Sequence, residues 1–503
     1  MHDGQQRLIT LSLLIAAMRD NFASTWHNDD DMTTEEHLSK MVMPTKGRKK
    51  DVLRIVMRPR DGQLLGKLLN STGDFRDLPI AKERQEFSAV DSRIAKVYEH
   101  FFDRIRQLGK DKSEDLLDYL EGDVFLLVST PKDAKMARNF VVGQNRGKNF
   151  EPVDEMKGLV CFAHTADEVS QDNVLNKWQE LEDTVGRKCL EASCIALSQG
   201  ELREAARRNG ETDLFAKYLR KATASRNCDG EKLFDDMIQP AAEELKALRE
   251  GRVDYARGIR NPPSFSFLDW AATEIPTSKE IEPVVLAILM KLRNDPTKSE
   301  TEFWNGKLNQ LERVALWMML AKPKLPARRK KCFHIMQHLD DSAALQAALE
   351  LSDDDKAMMR QNLDKQEFGK TTSGRKVATA LLLRLNEHQL LENNQATQIQ
   401  AMESTLQVEH VLPQKYSTNQ AWTEGWDAAH AIAWVHRLGN LALLNQKTNS
   451  KISNGSFSSK KPHLGESAYP LTRESAKVES WNAEAVARSH LDLCRLAFEV
   501  WRF

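Results

Sequence analysis

No C-x-x-C pair, no membrane-length apolar run and no surplus of either charge occurs in this sequence. The six cysteines stand far apart, at Cys161, Cys189, Cys194, Cys228, Cys332 and Cys494. That spacing argues against a zinc ribbon and against a disulfide framework, and it suits a reducing cytoplasm. The apolar stretch from Ile9 to Met18 is too short to span a bilayer and has no basic flank of the secretory kind. A soluble, cytoplasmic protein away from the membrane is therefore expected. Lys and Arg number 72 against 73 Asp and Glu, for a net charge of −1. No global positive field advertises a polyanion, so any such surface must be local. No repeat of fixed period is present, which excludes a solenoid.

What is present is an ordinary globular composition in a long chain. Hydrophobic residues make up 41% and charged residues 29% of 503 positions. A chain of this length exceeds a single core, so two to four domains are expected. Patterning predicts a mainly α fold with small α+β parts, divided near 160 and 400. At the start, Asp3 and Gln6 have the form of a capping box opening a helix to about Phe22. A polar stretch, about 24–50, reads as a loop. Alternation predicts strands at Asp51 to Met57 and Asp123 to Ser129, with helical periodicity over about 62–69 and 89–108. From about 165 to 400 the pattern is almost wholly helical, read as a spacer between two working ends. Near 400 the texture changes. Gln407 to Leu412 and Leu438 to Leu444 are short apolar segments, and a last amphipathic helix covers about 483–501.

The chemistry-bearing residues gather in the final hundred. Hydrolysis of a phosphodiester needs a base for the attacking water, stabilisation of the charged phosphate and neutralisation of the leaving oxygen. One histidine and one divalent cation can supply all three. Glu409-His410-Val411-Leu412-Pro413-Gln414 places an acid beside an imidazole, and Leu438-Gly439-Asn440-Leu441 and Asn449 follow. This ordered set, extended by Ser453-Asn454, Phe457 and Lys460, resembles the ββα-metal, or HNH, nuclease motif. The resemblance implies Glu409 and Asn449 as metal ligands, His410 as general base and Asn440 as the residue that positions it. An oxygen-rich ligand set favours Mg²⁺ or Mn²⁺. Trp422, Trp426 and Trp434 are expected to supply the core that zinc supplies elsewhere in that family. His430 and His436 are expected to pack or hydrogen-bond, with His436 close enough in sequence to Asn440 to watch. Lys447, Lys451, Lys460 and Lys461 have no acid among them, and read either as a solvated loop or as phosphate contacts.

At the other end, Asp3-Gly4-Gln5-Gln6-Arg7 can be read as a plain helix start or as a phosphate site at a helix terminus. The same residues resemble the DGQQR motif of the GmrSD family of modification-dependent, type IV restriction enzymes. Arg54 to Leu69, and Asn139-Phe140 through Gln144 to Lys148 with Asp154 and Lys157, resemble that family's following segments. The resemblance implies a ParB/sulfiredoxin-like N-terminal domain over 1–160, a helical middle over 161–400 and an HNH nuclease domain over 401–503. It implies NTP contacts from Asp3, Gly4, Gln5, Gln6 and Arg7. It also implies cleavage of modified phage DNA. Family members carry a substantial segment before DGQQR, whereas here only Met1 and His2 precede it. Either the start is misassigned, or the chain is a fragment, or the N-terminal half is truncated, with a homo-oligomer or a partner chain then expected to supply the missing segment. A non-cutting DNA- or partner-binding subunit is the competing expectation.

Overall fold

The structure, a computed structural model, describes residues 2–26, 31–43, 63–71, 89–125, 151–163, 168–205, 210–250, 262–293, 298–393 and 406–503. The chain divides into two compact units, 1–149 and 150–503.

The described part of the first unit is helical: His2–Ser24, Asp31–Val42, Gln63–Asn70, Ala89–Leu108 and Lys110–Gly122. Its core joins Ala16, Ala17, Met18 and Phe22 to Leu64, Leu65 and Leu68 and to Tyr98, Phe102 and Ile105. Arg19 is buried among them. Its guanidinium donates to the Leu69 carbonyl at 2.7 Å, the Leu68 carbonyl at 2.9 Å and the Asp20 carboxylate at 2.8 Å. Two of these acceptors are orphan carbonyls at the end of the Gln63–Asn70 helix, so Arg19 caps it. Tyr98 closes the network by donating to Asp20.

Three expectations change here. The helix starts at His2, so Asp3 lies within its first turn and does not precede it as a cap. The supposed loop over 24–50 contains the Asp31–Val42 helix, which buries Leu38 and Val42 beneath a polar face and pairs Glu36 with Lys40. That face outweighed the two apolar contacts in the sequence pattern. Asp123, Val124 and Phe125 are not strand, and the rest of that predicted strand, the 51–57 strand and residues 139–148 lie outside the described residues.

The second unit is a helical assembly carrying one two-stranded sheet. Its core runs without interruption from Val153 through Leu381 and Leu441 to Phe503. Residues 161–400 and 401–503, expected as separate domains, therefore share one apolar interior. Glu312 anchors that interior although it is itself fully buried. It accepts from Arg384 at 3.0 Å and from the Trp501 indole at 2.8 Å, and Ser264 also donates to it. Four segments remote in sequence are joined at one carboxylate. The terminal helix, Ala483–Trp501, is capped by Asn482 and buries Val486, His490, Leu493, Ala497 and Trp501 on one stripe.

Strand β1 (Leu406–His410) pairs antiparallel with β2 (Leu441–Asn445), with Glu409 opposite Ala442 and His410 opposite Leu441. The Gln446–Ile452 helix follows β2 directly, capped by Asn445, and packs against both strands. Around this hairpin lies a satellite core of Val411, Leu412, Trp422, Trp426, Leu444 and Trp481. Trp422 and Trp426 are buried as expected, and Trp434 packs at the edge.

Candidate active site

The site is built on the turn that leaves β1. Asn440 has no exposed surface and uses its whole amide. Its Nδ2 donates to the Leu412 carbonyl at 3.0 Å and the Val435 carbonyl at 2.8 Å. Its Oδ1 accepts from the Leu412 N–H at 2.8 Å and from the Trp481 indole at 2.9 Å. An amide side chain that pairs with both the N–H and the carbonyl of one residue substitutes for a missing strand neighbour. Asn440 thus fixes Leu412, two residues beyond His410, and touches the loop but not the imidazole. Trp481, absent from the sequence reading, extends this clamp, since its carbonyl accepts from the Trp426 indole at 2.7 Å. Gly439 is required for the same turn, because a Cβ there would lie 2.5 Å from the backbone of His490.

Strand alternation then separates the two motif residues. Gln407 and Glu409 face one way. There Lys460, with no exposed surface, places its ammonium on the Glu409 carboxylate and donates to the His410 carbonyl at 2.9 Å. Asn449, in the helix after β2, donates from Nδ2 to Gln407 Oε1 at 2.7 Å. Its Oδ1 is buried and accepts no hydrogen bond. Burial holds the Glu409 carboxyl above its usual range although Lys460 opposes the shift, and burial likewise lowers the Lys460 ammonium.

His410 faces the other way and is covered. Its Nε2 lies 3.3 Å from His436 Nδ1, and the Gln414 amide nitrogen is 3.3 Å from each ring nitrogen. Gly369 sits so close that a Cβ there would come within 2.2 Å of Nε2. The Gly369 N–H in turn donates to the His436 carbonyl at 3.0 Å, and the Gly369 carbonyl accepts from Arg375 at 3.1 Å. Burial, with His436, Arg375 and Lys460 nearby, pushes the His410 imidazole down to about 3. It is neutral at physiological pH, as a general base must be, but weakly basic in this arrangement.

The predicted residues are thus partly gathered. Glu409 and Asn449 are served by the same face of β1, Asn440 holds the turn, and His410 lies on the opposite face at the strand end. Lys447 and Lys451 are exposed beside the hairpin. Lys460 is corrected: it meets a buried carboxylate where a phosphate was expected, because its helix, Phe457–Gly465, directs it inward. His430 pairs with Asp427 at a helix start. His436 leaves the watch list as the neighbour of His410. The middle segment is likewise more than a spacer, since Gly369 and Arg375 complete the site; only contacts across tens of residues show this. Asp3 to Arg7 lie in the first two turns of the opening helix, in the other unit. Asp154 and Lys157 fall in the Pro152–Gly158 helix, where Asp154 pairs with Arg187 at 2.8 Å.

Among the described residues no cluster of three or more His, Cys, Asp or Glu could hold a metal ion, so a cation here would rely on one acid and on amide oxygens. No described helix is long and apolar enough to cross a membrane. No curated protein matches the chain. Residues 353–496 match the family model described as GmrSD restriction endonucleases, C-terminal domain, a span that takes in the covering segment, the hairpin, the clamp and most of the terminal helix. Over that segment the chain is similar to the C-terminal domain of GmrSD restriction endonucleases.

Proposed function

We propose that this chain is a metal-dependent DNA endonuclease with HNH chemistry, acting on modified phage DNA in a restriction system. The observation that carries this reading is the order of parts. A strand ending in His410, a turn clamped by Asn440, a second strand and a helix bearing Asn449 follow one another within the matched segment.

In this reading neutral His410 accepts the proton of a water, whose oxygen forms a bond to phosphorus as the bond to the 3′ oxygen breaks. Products would carry 5′-phosphate and 3′-hydroxyl ends. Asn440 positions the base by fixing Leu412. Glu409 and Asn449 would hold Mg²⁺ or Mn²⁺, which when bound supplies charge stabilisation at the phosphate and the leaving oxygen. The partnerless buried Oδ1 of Asn449 fits such a ligand, since a buried carbonyl oxygen otherwise lacks compensation. Under the same proposal, NTP contacts fall to Asp3, Gly4, Gln5, Gln6 and Arg7.

A second reading, a DNA- or partner-binding subunit that does not cut, draws on the covered His410 and on the Lys460–Glu409 pair. Cleavage of matched modified and unmodified phage DNA in Mg²⁺, with and without NTP, separates the two. The nuclease reading expects His410→Ala to lose at least about 100-fold in rate with binding retained. Equal cutting by wild type and His410→Ala would remove the assigned base.

A further inference from the structure

The second unit also carries a surface that the hairpin does not explain. The seventeen residues from Lys322 to His338 contain six Lys or Arg and two His but no acid. They form a short link and the Leu325–Gln337 helix, which buries Cys332, Ile335 and Met336 and turns its remaining face outward. Two of the cations are engaged: Arg328 pairs with Glu280 at 3.0 Å, and Lys331 donates to the Glu350 carbonyl. The other four, Lys322, Lys324, Arg329 and Lys330, have no carboxylate within ion-pair distance among the described residues. Lys322, Lys324 and Lys330 are exposed, and Arg329 is half-buried.

Two further observations belong to this segment, one of its backbone and one of its field. Lys322 is held at φ 50°, a left-handed conformation that glycine or asparagine adopts with less strain. His334, one turn beyond Lys330, is lowered by burial and by His338, Lys331 and Lys330 together. In a chain of net charge −1, an acid-free face of this kind is a local exception.

We propose that Lys322, Lys324, Arg329 and Lys330 form a docking surface for the phosphate backbone of duplex DNA, separate from the residues assigned to chemistry. The proposal rests on the reading of DNA as substrate. A helix of 13 residues is about 20 Å long, and over that length a duplex presents about a dozen phosphates on its two strands. The surface reads no bases and would bind sequences alike.

The test measures affinity of the full chain for a short DNA duplex against salt concentration, in a His410→Ala background. The variant is Lys322→Ala/Lys324→Ala/Arg329→Ala/Lys330→Ala. A control set of equal charge, Lys188→Ala/Lys217→Ala/Arg220→Ala/Lys221→Ala, lies on other helices. The first set is expected to weaken binding at least about tenfold at ~0.1 M salt, and to flatten the slope of log K against log salt by about 3. Melting temperature checks that both sets fold. The proposal is overturned if the two sets weaken binding equally. It is also overturned if the first leaves the slope unchanged, or if polyglutamate displaces the duplex as well as a second duplex does. A parent that binds no DNA at any salt would instead sink the nuclease reading itself.

Discussion

The buried ammonium of Lys460 meets the largely buried carboxylate of Glu409, fifty-one positions apart in sequence. Two charges removed from water hold each other there, and Lys460 also caps the carbonyl of the residue assigned as base. Lys460 therefore supplies, within the chain, positive charge on the carboxylate assigned to a cation.

Removing one member should cost more than removing both. Lys460→Met leaves a buried carboxylate uncompensated and is expected to destabilise the second unit by about 3–5 kcal/mol. Lys460→Met with Glu409→Gln should recover more than half of that. Urea denaturation of both variants checks this, and equal losses would show the pair to be uncoupled.

Asn440→Ala deletes four buried hydrogen bonds and strands both polar groups of Leu412, at a cost of about 2–5 kcal/mol. Asn440→Asp should not rescue it, because a carboxylate has no donor for the Leu412 and Val435 carbonyls. A melting temperature for Asn440→Asp equal to wild type would contradict the clamp.

Gly369→Ala tests the covering segment. A methyl group within 2.2 Å of His410 Nε2 forces the ring or the segment aside. Overpacking of this kind costs about 1–3 kcal/mol. Displacing a base by about 1 Å can cost about 100-fold in rate. Cleavage is expected to fall while duplex affinity holds. Unaltered turnover would place the reacting ring elsewhere.

The stability contributed by two buried acids should fall as pH rises from about 5 to about 8, opposite in sign to that of the lowered His410 imidazole. Burial raises Glu387 from 4.5 to about 7, and Asp269 from 3.8 to about 6. For an acid raised on folding, the native state holds the proton more tightly. Its contribution is therefore complete below the unfolded value and is lost as pH climbs through the folded one. For Glu387 the loss is on the order of 1–3 kcal/mol. The stability of wild type relative to Glu387→Gln should decline across this range of melting curves, and parallel curves would refute the assignment.

The sequence by itself determined the parts whose signal is short-range. The terminal amphipathic helix, the two apolar segments around the hairpin, and the Glu409-His410 and Gly439-Asn440 pairs were legible because capping, alternation and motif spacing act over a few residues. The Asp31–Val42 helix escaped because, among its described side chains, Leu38 and Val42 alone are buried beneath a charged face. Only the tertiary structure decided what each site residue faces. Lys460 looked like a surface lysine until its helix carried it onto Glu409. Trp481 became part of the Asn440 clamp, and Gly369 and Arg375 came from a stretch that periodicity presents as plain helix and loop. Those outcomes depend on contacts 41 to 51 positions apart. They are set by which faces pack together, and local pattern does not encode that.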